Sequence, residues 1–355
     1  MKKGSKVFVG MSGGVDSSVS AYLLKKAGYN VTGVFIRTWQ PDFIECTWKD
    51  ERRDAIRACA HLDIPYLECD GEDAYKHGVA DYMIEEYRNG RTPNPDVMCN
   101  REVKFGIFWQ FAKEHGADFI ATGHYAQNKD NILVKGIDPA KDQSYFLWTL
   151  DKQDLKHTLF PIGHLEKTEV RKIAKQIGLP QATKKDSQGV CFLGPLDMKE
   201  FLKEYIPEAR GKVLLARPNG LGNEPLKEIG YHDGAVFYTL GERHGFTITD
   251  KTPNDSAYYI VAKNLDDNTL TVSTSAENHT AFEQTTFHVE KTNWNMVIDE
   301  KKTYEAQIRY HGEFLKCHVD PHTDIVTFKK PILVSSGQSI VVYDDELCVG
   351  GGIVK

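Results

Sequence analysis

The sequence predicts an α/β domain built on a parallel sheet, followed by regions of short β-strands. From Lys6 to about Ala121, apolar strands alternate with amphipathic helices, which is typical of a parallel sheet covered by helices on both faces. Beyond about residue 205, short strands are separated by Gly, Asn and Asp, as in a small barrel. A chain of 355 residues exceeds what one hydrophobic core usually supports, so we expect divisions near residues 205 and 277.

The turn after the first predicted strand has the residue types of a nucleotide phosphate site. Gly13 and Gly14 lack the Cβ atoms that would keep a phosphate away from the backbone. The helix that begins after them has unpaired N–H groups and a partly positive N-terminal end, and both favour anions. Hydroxyl donors and one carboxylate, which could hold a bridging Mg²⁺, accompany the glycines: Ser12, Asp16, Ser17 and Ser18.

This turn is not the Walker phosphate loop, because the chain contains no G-x-x-x-x-G-K-[ST] sequence. A glycine turn that only tightens a strand–helix junction is the alternative interpretation.

A second loop, at residues 122–125, follows the fourth predicted strand at residues 118–121. Ligands of open α/β sheets bind beyond the carboxyl ends of the strands, so we expect Gly123 and His124 on the nucleotide side.

The other elements follow from the spacing of apolar residues and turn residues. Pro93 and Pro95 prevent a helix from continuing through residues 90–100, and a long helix is predicted after them. We also predict a helix that opens at Lys141 and another that Thr168 caps. Strands or hairpins are predicted at residues 31–36, 66–69, 131–135, 258–274 and 304–354.

Charge and hydropathy exclude some classes of function. The formal net charge of −6 argues against non-specific nucleic-acid binding by the whole surface, but it permits a local basic track. No apolar run approaches the roughly 18 residues that cross a bilayer, and no signal-peptide core follows Met1. We therefore expect a cytoplasmic protein that does not associate with membranes.

Seven cysteines without a C-x-x-C pair predict free thiols rather than a disulfide framework or a zinc site. Cys99 and Cys191 differ from the others because each lies in a predicted polar loop beside charged residues, which favours an accessible thiolate. A small buried thiol is the alternative for both. The remaining cysteines are interpreted as packing residues: Cys46, Cys59, Cys69, Cys317 and Cys348. We expect no metal site around Cys317 and its neighbouring histidines, because adjacent strand residues face opposite ways.

A set of longer motifs occurs in one fixed order along the chain, at residues 94–105, 121–125, 141–143, 184–191, 231–234 and 349–352. The turn at residues 10–17 resembles the PP-loop of the ATP pyrophosphatases. Together with the other motifs, it closely resembles the bacterial tRNA-uridine 2-sulfurtransferase family, from the first strand to the last few residues. The resemblance implies a PP-loop domain of the adenine nucleotide alpha-hydrolase-like, HUP type (1–205), a small central β-rich domain (206–277) and a C-terminal tRNA-binding β-barrel (278–355).

The resemblance also implies roles for particular residues. Cys99 matches the family's nucleophile and Cys191 its persulfide-carrying cysteine, and the two would form a transient disulfide. The positions that match ATP contacts are Gly10, Met11, Ser12, Gly13, Gly14, Val15, Asp16, Ser17, Ile36 and Gly123. The positions that match contacts with the target base and tRNA are Asn94, Pro95, Asp96, His124, Lys141, Asp142, Gln143, Arg309, Tyr310 and Gln338. Residues 39–49 and 220–229 depart from the family pattern, which affects the expected tRNA contacts and donor docking rather than the reaction.

The implied reaction is the ATP-dependent 2-thiolation of the wobble uridine of tRNA. The PP-loop would bind ATP together with Mg²⁺. Adenylation turns the C2 oxygen into a leaving group, pyrophosphate is released, and a cysteine persulfide then supplies sulfur as AMP departs. The implied partners are a tRNA anticodon stem-loop with its uridine flipped out, and a sulfur donor such as a cysteine desulfurase or a sulfur-relay protein. We expect the protein itself to be a monomer.

Two other functions compete with this one. A PP-loop ligase that adenylates a carboxyl or carbonyl group to form an amide or amine would explain ATP use but would leave both cysteines idle. A non-enzymatic tRNA-binding protein with a regulatory ATP site would explain the β-rich regions but not the two cysteine segments. For the thiolation mechanism, we expect the two sulfurs to be too far apart or too poorly oriented to bond without tRNA, with residues 184–192 mobile or displaced. We expect tRNA binding to bring Cys191 toward Cys99.

Overall fold

The computed structural model describes residues 3–44, 48–186, 189, 191, 193, 197–217, 226–249, 256–274 and 282–355. Its strands, in chain order, are β1 (Lys6–Gly10), β2 (Asn30–Arg37), β3 (Tyr66–Asp70), β4 (Phe119–Ala121), β5 (Ala126–Lys129), β6 (Ile132–Lys135), β7 (Thr158–Leu159), β8 (Gly211–Leu215), β9 (Lys227–His232), β10 (Thr247–Ile248), β11 (Tyr259–Asn264), β12 (Thr269–Ser273), β13 (Gln284–Trp294), β14 (Tyr304–Gln307), β15 (Leu315–Asp320), β16 (Ile325–Ile332), β17 (Ser339–Asp344) and β18 (Leu347–Val354).

The helices are α1 (Val15–Lys26), α2 (Trp48–His61), α3 (Glu72–Tyr75), α4 (Tyr82–Arg88), α5 (Pro95–Met98), α6 (Phe108–Glu114), α7 (Lys152–Lys156), α8 (Lys167–Gln176) and α9 (Met198–Lys203). A π-helical segment, Lys76–Asp81, joins α3 to α4, and a second, Cys99–Ile107, joins α5 to α6. Short 3₁₀ turns occur at Ser144–Leu147 and Ala235–Phe237. Within the described ranges, none of the helices has both the length and the apolar character that a bilayer crossing requires.

The first sheet is parallel and has the order β3-β2-β1-β4-β7. Alternation along β1 divides the core in two, because Val7 and Val9 pack on one side of the sheet and Phe8 packs on the other. The predicted parallel sheet with helices on both faces is confirmed. Both β1 and β4 end at the same edge of this sheet. The phosphate turn, residues 10–17, continues from the end of β1 at this edge, and Gly123 follows β4.

The β-rich regions form two further sheets. One has the order β10-β9-β8-β12-β11 and contains the predicted hairpin β11–β12. In the other, β13, β16, β15, β14, β17 and β18 pair in turn, and β18 pairs again with β13, which closes the predicted C-terminal barrel. Cys317 is buried inside this barrel, as a packing residue should be.

The hairpin β5–β6 of the N-terminal region extends the sheet of the barrel. Val134 on β6 pairs with Leu347 on β18, and the amide of Lys135 donates to the carbonyl of Glu346 at 2.9 Å. The indole of Trp148 adds a buried hydrogen bond to Ser339 Oγ at 3.2 Å. These contacts hold the barrel against the first sheet and thereby bring barrel residues to the edge where β1 and β4 end.

Two helix predictions need correction. The segment after Lys141 is only a short 3₁₀ turn, because its large side chains Tyr145 and Trp148 are buried on several sides instead of lining one helix face. Thr168 does not cap the next helix, which begins one residue earlier; Glu166 precedes it and forms a capping box with Glu169.

Candidate functional site

A pocket of about 660 Å³ opens at the carboxyl edge of the first sheet. Its walls come from distant parts of the chain: the phosphate turn, the loop after β4, the segment around Lys141, the segment that carries Cys191, and the barrel residues Tyr310 and His311. The pocket therefore lies at the predicted position, beyond the carboxyl ends of the strands.

In the phosphate turn, position 13 requires glycine for two separate reasons. Gly13 has φ +68°, and a Cβ atom on it would lie 2.5 Å from the carbonyl oxygen of Glu51. Gly14 precedes α1, and its carbonyl accepts a hydrogen bond from Ser18 Oγ at 2.7 Å. Ser12 and Ser17 place their hydroxyls 3.3 Å apart across the turn. The first turn of α1 thus presents backbone N–H groups and hydroxyls to the pocket, as a phosphate site needs.

Gly123 is held against this turn at very short range. A Cβ atom on Gly123 would lie 2.7 Å from the backbone nitrogen of Ser17 and 2.9 Å from the carbonyl carbon of Asp16. The neighbouring His124 is buried, and its Nδ1 lies 2.7 Å from the hydroxyl of Thr122. Burial, together with the nearby Lys104 ammonium, lowers the pKa of His124 well below its usual value, so its ring is neutral.

Asp16 is already paired with a cation. Both of its carboxylate oxygens accept hydrogen bonds from Lys167 Nζ at 2.8 Å, and Tyr125 donates to Oδ1 at 2.8 Å. Among the residues whose placement is described, no cluster of three or more His, Cys, Asp or Glu side chains could hold a metal ion. This arrangement does not fit Mg²⁺ as a ligand set, because an ammonium occupies both carboxylate oxygens. The use of Mg²⁺ remains a prediction.

Asp186 links the phosphate turn to the segment that carries Cys191. Its carboxylate accepts hydrogen bonds or ion pairs from Lys141 at 2.9 Å, Lys167 at 2.9 Å and Arg171 at 2.6 Å. Although burial opposes it, the hydrogen bonds from Lys141 and Lys167 lower the pKa of Asp186 to about 2. Because Lys167 also holds Asp16, the two carboxylates share one cation.

Cys191 lines the same pocket and meets the buried Cys99 behind it. The thiol of Cys99 donates to the sulfur of Cys191 across 3.4 Å, although 92 residues separate them in sequence. Cys191 is fixed at both ends of its backbone, since its N–H donates to Asp96 Oδ1 at 3.0 Å and its carbonyl accepts from Tyr75 OH at 2.8 Å. The prediction that the sulfurs are too far apart without tRNA is therefore wrong for this structure. Poor orientation for bonding and the approach of Cys191 on tRNA binding stay predictions.

The environments of the two sulfurs differ. Cys99 lies on a helix rather than in the predicted polar loop and is only 1% exposed, and burial raises its pKa well above the usual value. Cys191 is half-buried, and the hydrogen bond from Cys99, aided by the charge of Lys104, lowers its pKa to about 7. The pair therefore keeps the proton on Cys99 and favours negative charge on Cys191. Residues 184–192 form the segment that was predicted to be mobile. Four of them, residues 187, 188, 190 and 192, lie outside the described residues.

Aromatic rings form a wall beside the cysteines. The rings of Phe146 and Tyr310 lie 4.3 Å apart, and His311 stacks on Tyr310 at 3.9 Å. Several predicted tRNA positions share this pocket lining: Asp96, His124, Lys141, Gln143 and Tyr310. Such a wall offers a stacking surface for a nucleobase.

Other predicted tRNA positions have local structural contacts. Asn94 caps α5, accepting from the amide of Val97 at 3.3 Å, and Pro95 is the first residue of that helix. Asp142 accepts from the amides of Gly136 and Ser144. Arg309 is exposed and donates to the carbonyl of Leu240 at 3.1 Å, and Gln338 accepts from the amide of Ser335 at 3.1 Å. Their roles toward tRNA remain predictions.

Sequence reasoning assigned no role to Lys104, Tyr75 or Lys167. Residues five apart, such as Cys99 and Lys104, point about 140° apart on an α-helix, so helical spacing separates them. The π-helical geometry of Cys99–Ile107 brings residues five apart into register. No local pattern predicts the contacts of Tyr75 with Cys191 or of Lys167 with Asp16, because each joins residues more than 100 positions apart.

The parallel sheet with its phosphate turn, the central sheet and the closed barrel define a class of α/β proteins with a nucleotide-type site and two β-rich regions. The family model described as "tRNA methyl transferase HUP domain" matches residues 5–195, "tRNA methyl transferase PRC-barrel domain" matches residues 199–274, and "Aminomethyltransferase beta-barrel domain" matches residues 284–354. Relatives named tRNA-specific 2-thiouridylase MnmA are 39%, 41% and 42% identical and cover at least 98% of the chain, so the chain belongs to the tRNA-specific 2-thiouridylase (MnmA) family. The predicted fold and family resemblance are thus confirmed.

Three relatives illustrate the similarity, and each is called tRNA-specific 2-thiouridylase MnmA. The protein of Colwellia psychrerythraea is 42% identical and covers 99% of this chain and 96% of its own. The protein of Listeria monocytogenes serotype 4b is 41% identical, with 98% and 94% covered, and that of Francisella tularensis subsp. holarctica is 39% identical, with 98% and 99% covered.

Solved structures show a more distant likeness. The U34-tRNA thiolase NcsA from Methanococcus maripaludis, with its [4Fe-4S] cluster, is 21% identical, with a TM-score of 0.38 over 58% of this chain and 68% of that one. A 4-thiouridine synthetase in complex with RNA and ATP is also 21% identical, with a TM-score of 0.34 over 57% and 50%. These values add nothing to the family assignment.

Proposed function

We propose that this protein catalyses the ATP-dependent 2-thiolation of the wobble uridine of tRNA. The uridine C2 oxygen is adenylated with release of pyrophosphate, and sulfur from a Cys191 persulfide then replaces that oxygen as AMP leaves. The observation that carries this proposal is the opening of two chemical centres into one pocket. The phosphate turn lines one part of the pocket, and Cys191, whose sulfur lies 3.4 Å from that of Cys99, lines another.

The nucleotide occupies the phosphate-turn side of the pocket. Its phosphates contact the first turn of α1 and the hydroxyls of Ser12 and Ser17, while Ile36 and Gly123 border the adenosine moiety. Lys167 and Lys184 also line this side and supply positive charge for the departing pyrophosphate. Adenylation is needed because oxide cannot leave a pyrimidine carbon, whereas AMP can.

The target base enters from the barrel side. To reach the Cys191 sulfur the uridine must leave the anticodon stack, and the Phe146–Tyr310 wall replaces the stacking that it loses. Residues 278–355 and the segment around Lys141 contact the surrounding tRNA. Because the net charge is −6, binding depends on a local basic track that includes Lys141 and Arg309.

Sulfur delivery uses the two cysteines in sequence. The Cys191 thiolate attacks the outer sulfur of a donor persulfide, carried by a cysteine desulfurase or a sulfur-relay protein, and the donor leaves as its thiolate. Cys99 then attacks the inner sulfur of the Cys191 persulfide, and the released sulfide takes up the Cys99 proton and attacks the activated carbon. The resulting Cys99–Cys191 disulfide is reduced by two cellular thiols. The 3.4 Å sulfur–sulfur distance supports this step without a large rearrangement.

The test is to incubate the protein with ATP, tRNA carrying a wobble uridine, and a small-molecule or protein persulfide. Mass spectrometry of the digested tRNA should find 2-thiouridine, with one AMP and one pyrophosphate formed for each sulfur transferred. A matched tRNA with cytidine at the wobble position should gain no sulfur. AMP formation without sulfur in tRNA would favour the PP-loop ligase, and tRNA binding without AMP formation would favour a binding protein. A cytoplasmic, monomeric enzyme remains our expectation.

A further inference from the structure

Lys104 reaches the cysteine pair from the helix that carries Cys99. It lies on the π-helical segment Cys99–Ile107, is half-buried and lines the pocket. Its ammonium donates a hydrogen bond to the sulfur of Cys191. The Cys191 sulfur therefore has two donors, the Cys99 thiol at 3.4 Å and the Lys104 ammonium.

Among the described residues, Cys99, Lys104 and Asp96 have the largest effects on the ionisation of Cys191, and Tyr75 and His124 are titratable groups beside them. His124 is neutral because burial lowers its pKa, and Tyr75 is neutral because burial raises its pKa. Asp96 is the only carboxylate among these described groups, and it is engaged by the amide of Cys191. Lys104 is thus the positive charge nearest to the sulfur in this set.

We infer that Lys104 is a further catalytic residue, whose ammonium holds the Cys191 sulfur as the anion that accepts sulfur from the donor. Burial alone would favour a neutral thiol at this half-buried position, and a thiol is a poor nucleophile. A positive charge in hydrogen-bond contact reverses that preference. Although burial opposes it, the negative sulfurs of Cys191 and Cys99 raise the pKa of Lys104, so the ammonium keeps its proton.

The loading step balances without a further reactant. A bond forms between Cys191 Sγ and the outer sulfur of the donor persulfide, the sulfur–sulfur bond of the donor breaks, and its electron pair remains on the donor thiolate. Cys191 then carries a persulfide whose terminal sulfur is deprotonated more readily than a thiol. Lys104 stays protonated throughout and stabilises the anion in both states. The sulfur-accepting role of Cys191 rests on the proposed function; the ionisation of its thiol does not.

The experiment measures that ionisation without tRNA, ATP or a sulfur donor. The full chain is alkylated with iodoacetamide between about pH 5.5 and 9.5, and the initial rate at Cys191 is followed by mass spectrometry of its peptide. Lys104→Met removes the charge, and Lys104→Arg keeps it. Lys113→Met is the matched control, since Lys113 lies on the same continuous helix but is exposed to solvent.

The rate in the unaltered protein should reach half its maximum near pH 7, the pKa of Cys191. In Lys104→Met this midpoint should move toward the ordinary thiol value of about 8.5. At pH 7 the thiolate fraction then falls from about half to about 3%, roughly 16-fold. Each thiolate becomes about fivefold more nucleophilic because its pKa is higher. We therefore expect alkylation to be roughly threefold slower at pH 7 and about fourfold faster at pH 9.

A crossing of the two pH profiles is the distinguishing result, because a merely structural change would shift the rate in one direction at every pH. Lys104→Arg and Lys113→Met should both keep the midpoint near pH 7. The inference is overturned if the midpoint in Lys104→Met stays within about 0.3 pH units of the original while the thermal unfolding transition is unchanged. If Lys104→Met does not fold, Lys104→Gln decides by the same criterion. A protein that fails to thiolate tRNA but shows the crossing refutes the proposed function and leaves this ionisation intact.

Discussion

Replacement of Gly123 by alanine tests whether the loop after β4 and the first turn of α1 form one rigid site. The new Cβ atom would lie 2.7 Å from the nitrogen of Ser17, 2.9 Å from the carbonyl carbon of Asp16 and 3.1 Å from its Cβ. These are mainly backbone atoms, so the contact cannot be relieved by turning a flexible side chain. We expect the overpacked contact to lower the free energy of unfolding by about 1–3 kcal/mol.

The same displacement should weaken ATP binding, because the amides that move are those proposed to contact phosphate. A loss of about 1.4 kcal/mol corresponds to a tenfold higher dissociation constant, and we expect at least that much. Urea unfolding followed by circular dichroism gives the stability, and isothermal titration calorimetry gives the affinity. Gly10→Ala is the matched comparison for stability, since the nearest atom to its Cβ would be Phe108 Cε1 at an ordinary 3.5 Å.

For Gly10→Ala, the free energy of unfolding should change by less than about 0.5 kcal/mol. If Gly123→Ala matches the unaltered protein in both stability and ATP affinity, the close approach of the two loops is incorrect. If it loses stability but binds ATP equally well, the loops do pack together, but the first turn of α1 is not the phosphate site.

Three further predictions concern the cysteine pair, Asp186 and the exposed Arg309. Cys99→Ser and Cys191→Ser should each abolish formation of 2-thiouridine. The affinity for ATP, measured by calorimetry, should stay within about twofold because neither sulfur belongs to the phosphate turn. Loss of ATP binding in both variants would instead indicate structural cysteines. Asp186→Asn should lower the free energy of unfolding by roughly 1–2 kcal/mol near pH 7. The folded-state pKa of Asp186, about 2, lies below the unfolded value of about 3.9, so its contribution is present above pH 4 and disappears as the pH falls through about 2. Urea midpoints that differ equally at pH 7 and near pH 2.5 would contradict this. Arg309→Ala should weaken tRNA binding and reduce the slope of log affinity against log salt by about 1, measured by filter binding, whereas an unchanged slope would place Arg309 away from phosphate.

Local features that depend on neighbouring residues were predictable from the sequence. Alternating apolar strands and helices predicted the parallel sheet, because each element must bury one face. Adjacent glycines and hydroxyls predicted the phosphate turn, and Gly13 indeed occupies a positive-φ conformation that glycine favours. The motifs also identified the family and singled out Cys99 and Cys191. The sequence could not reveal that Tyr145 and Trp148 are buried on several sides, so it predicted an amphipathic helix where a 3₁₀ turn exists.

The tertiary structure alone decided how the chemical groups meet. Cys99 and Cys191 are adjacent because Tyr75 and Asp96 fix the backbone of Cys191, and such contacts leave no periodic signal in the chain. Lys104 joins them because a π-helical segment replaces the α-helical spacing that would turn it away. The barrel brings Tyr310 to the pocket through pairing of β6 with β18. Sequence periodicity reports which face of an element is buried, whereas the position of a site depends on which distant faces pack together.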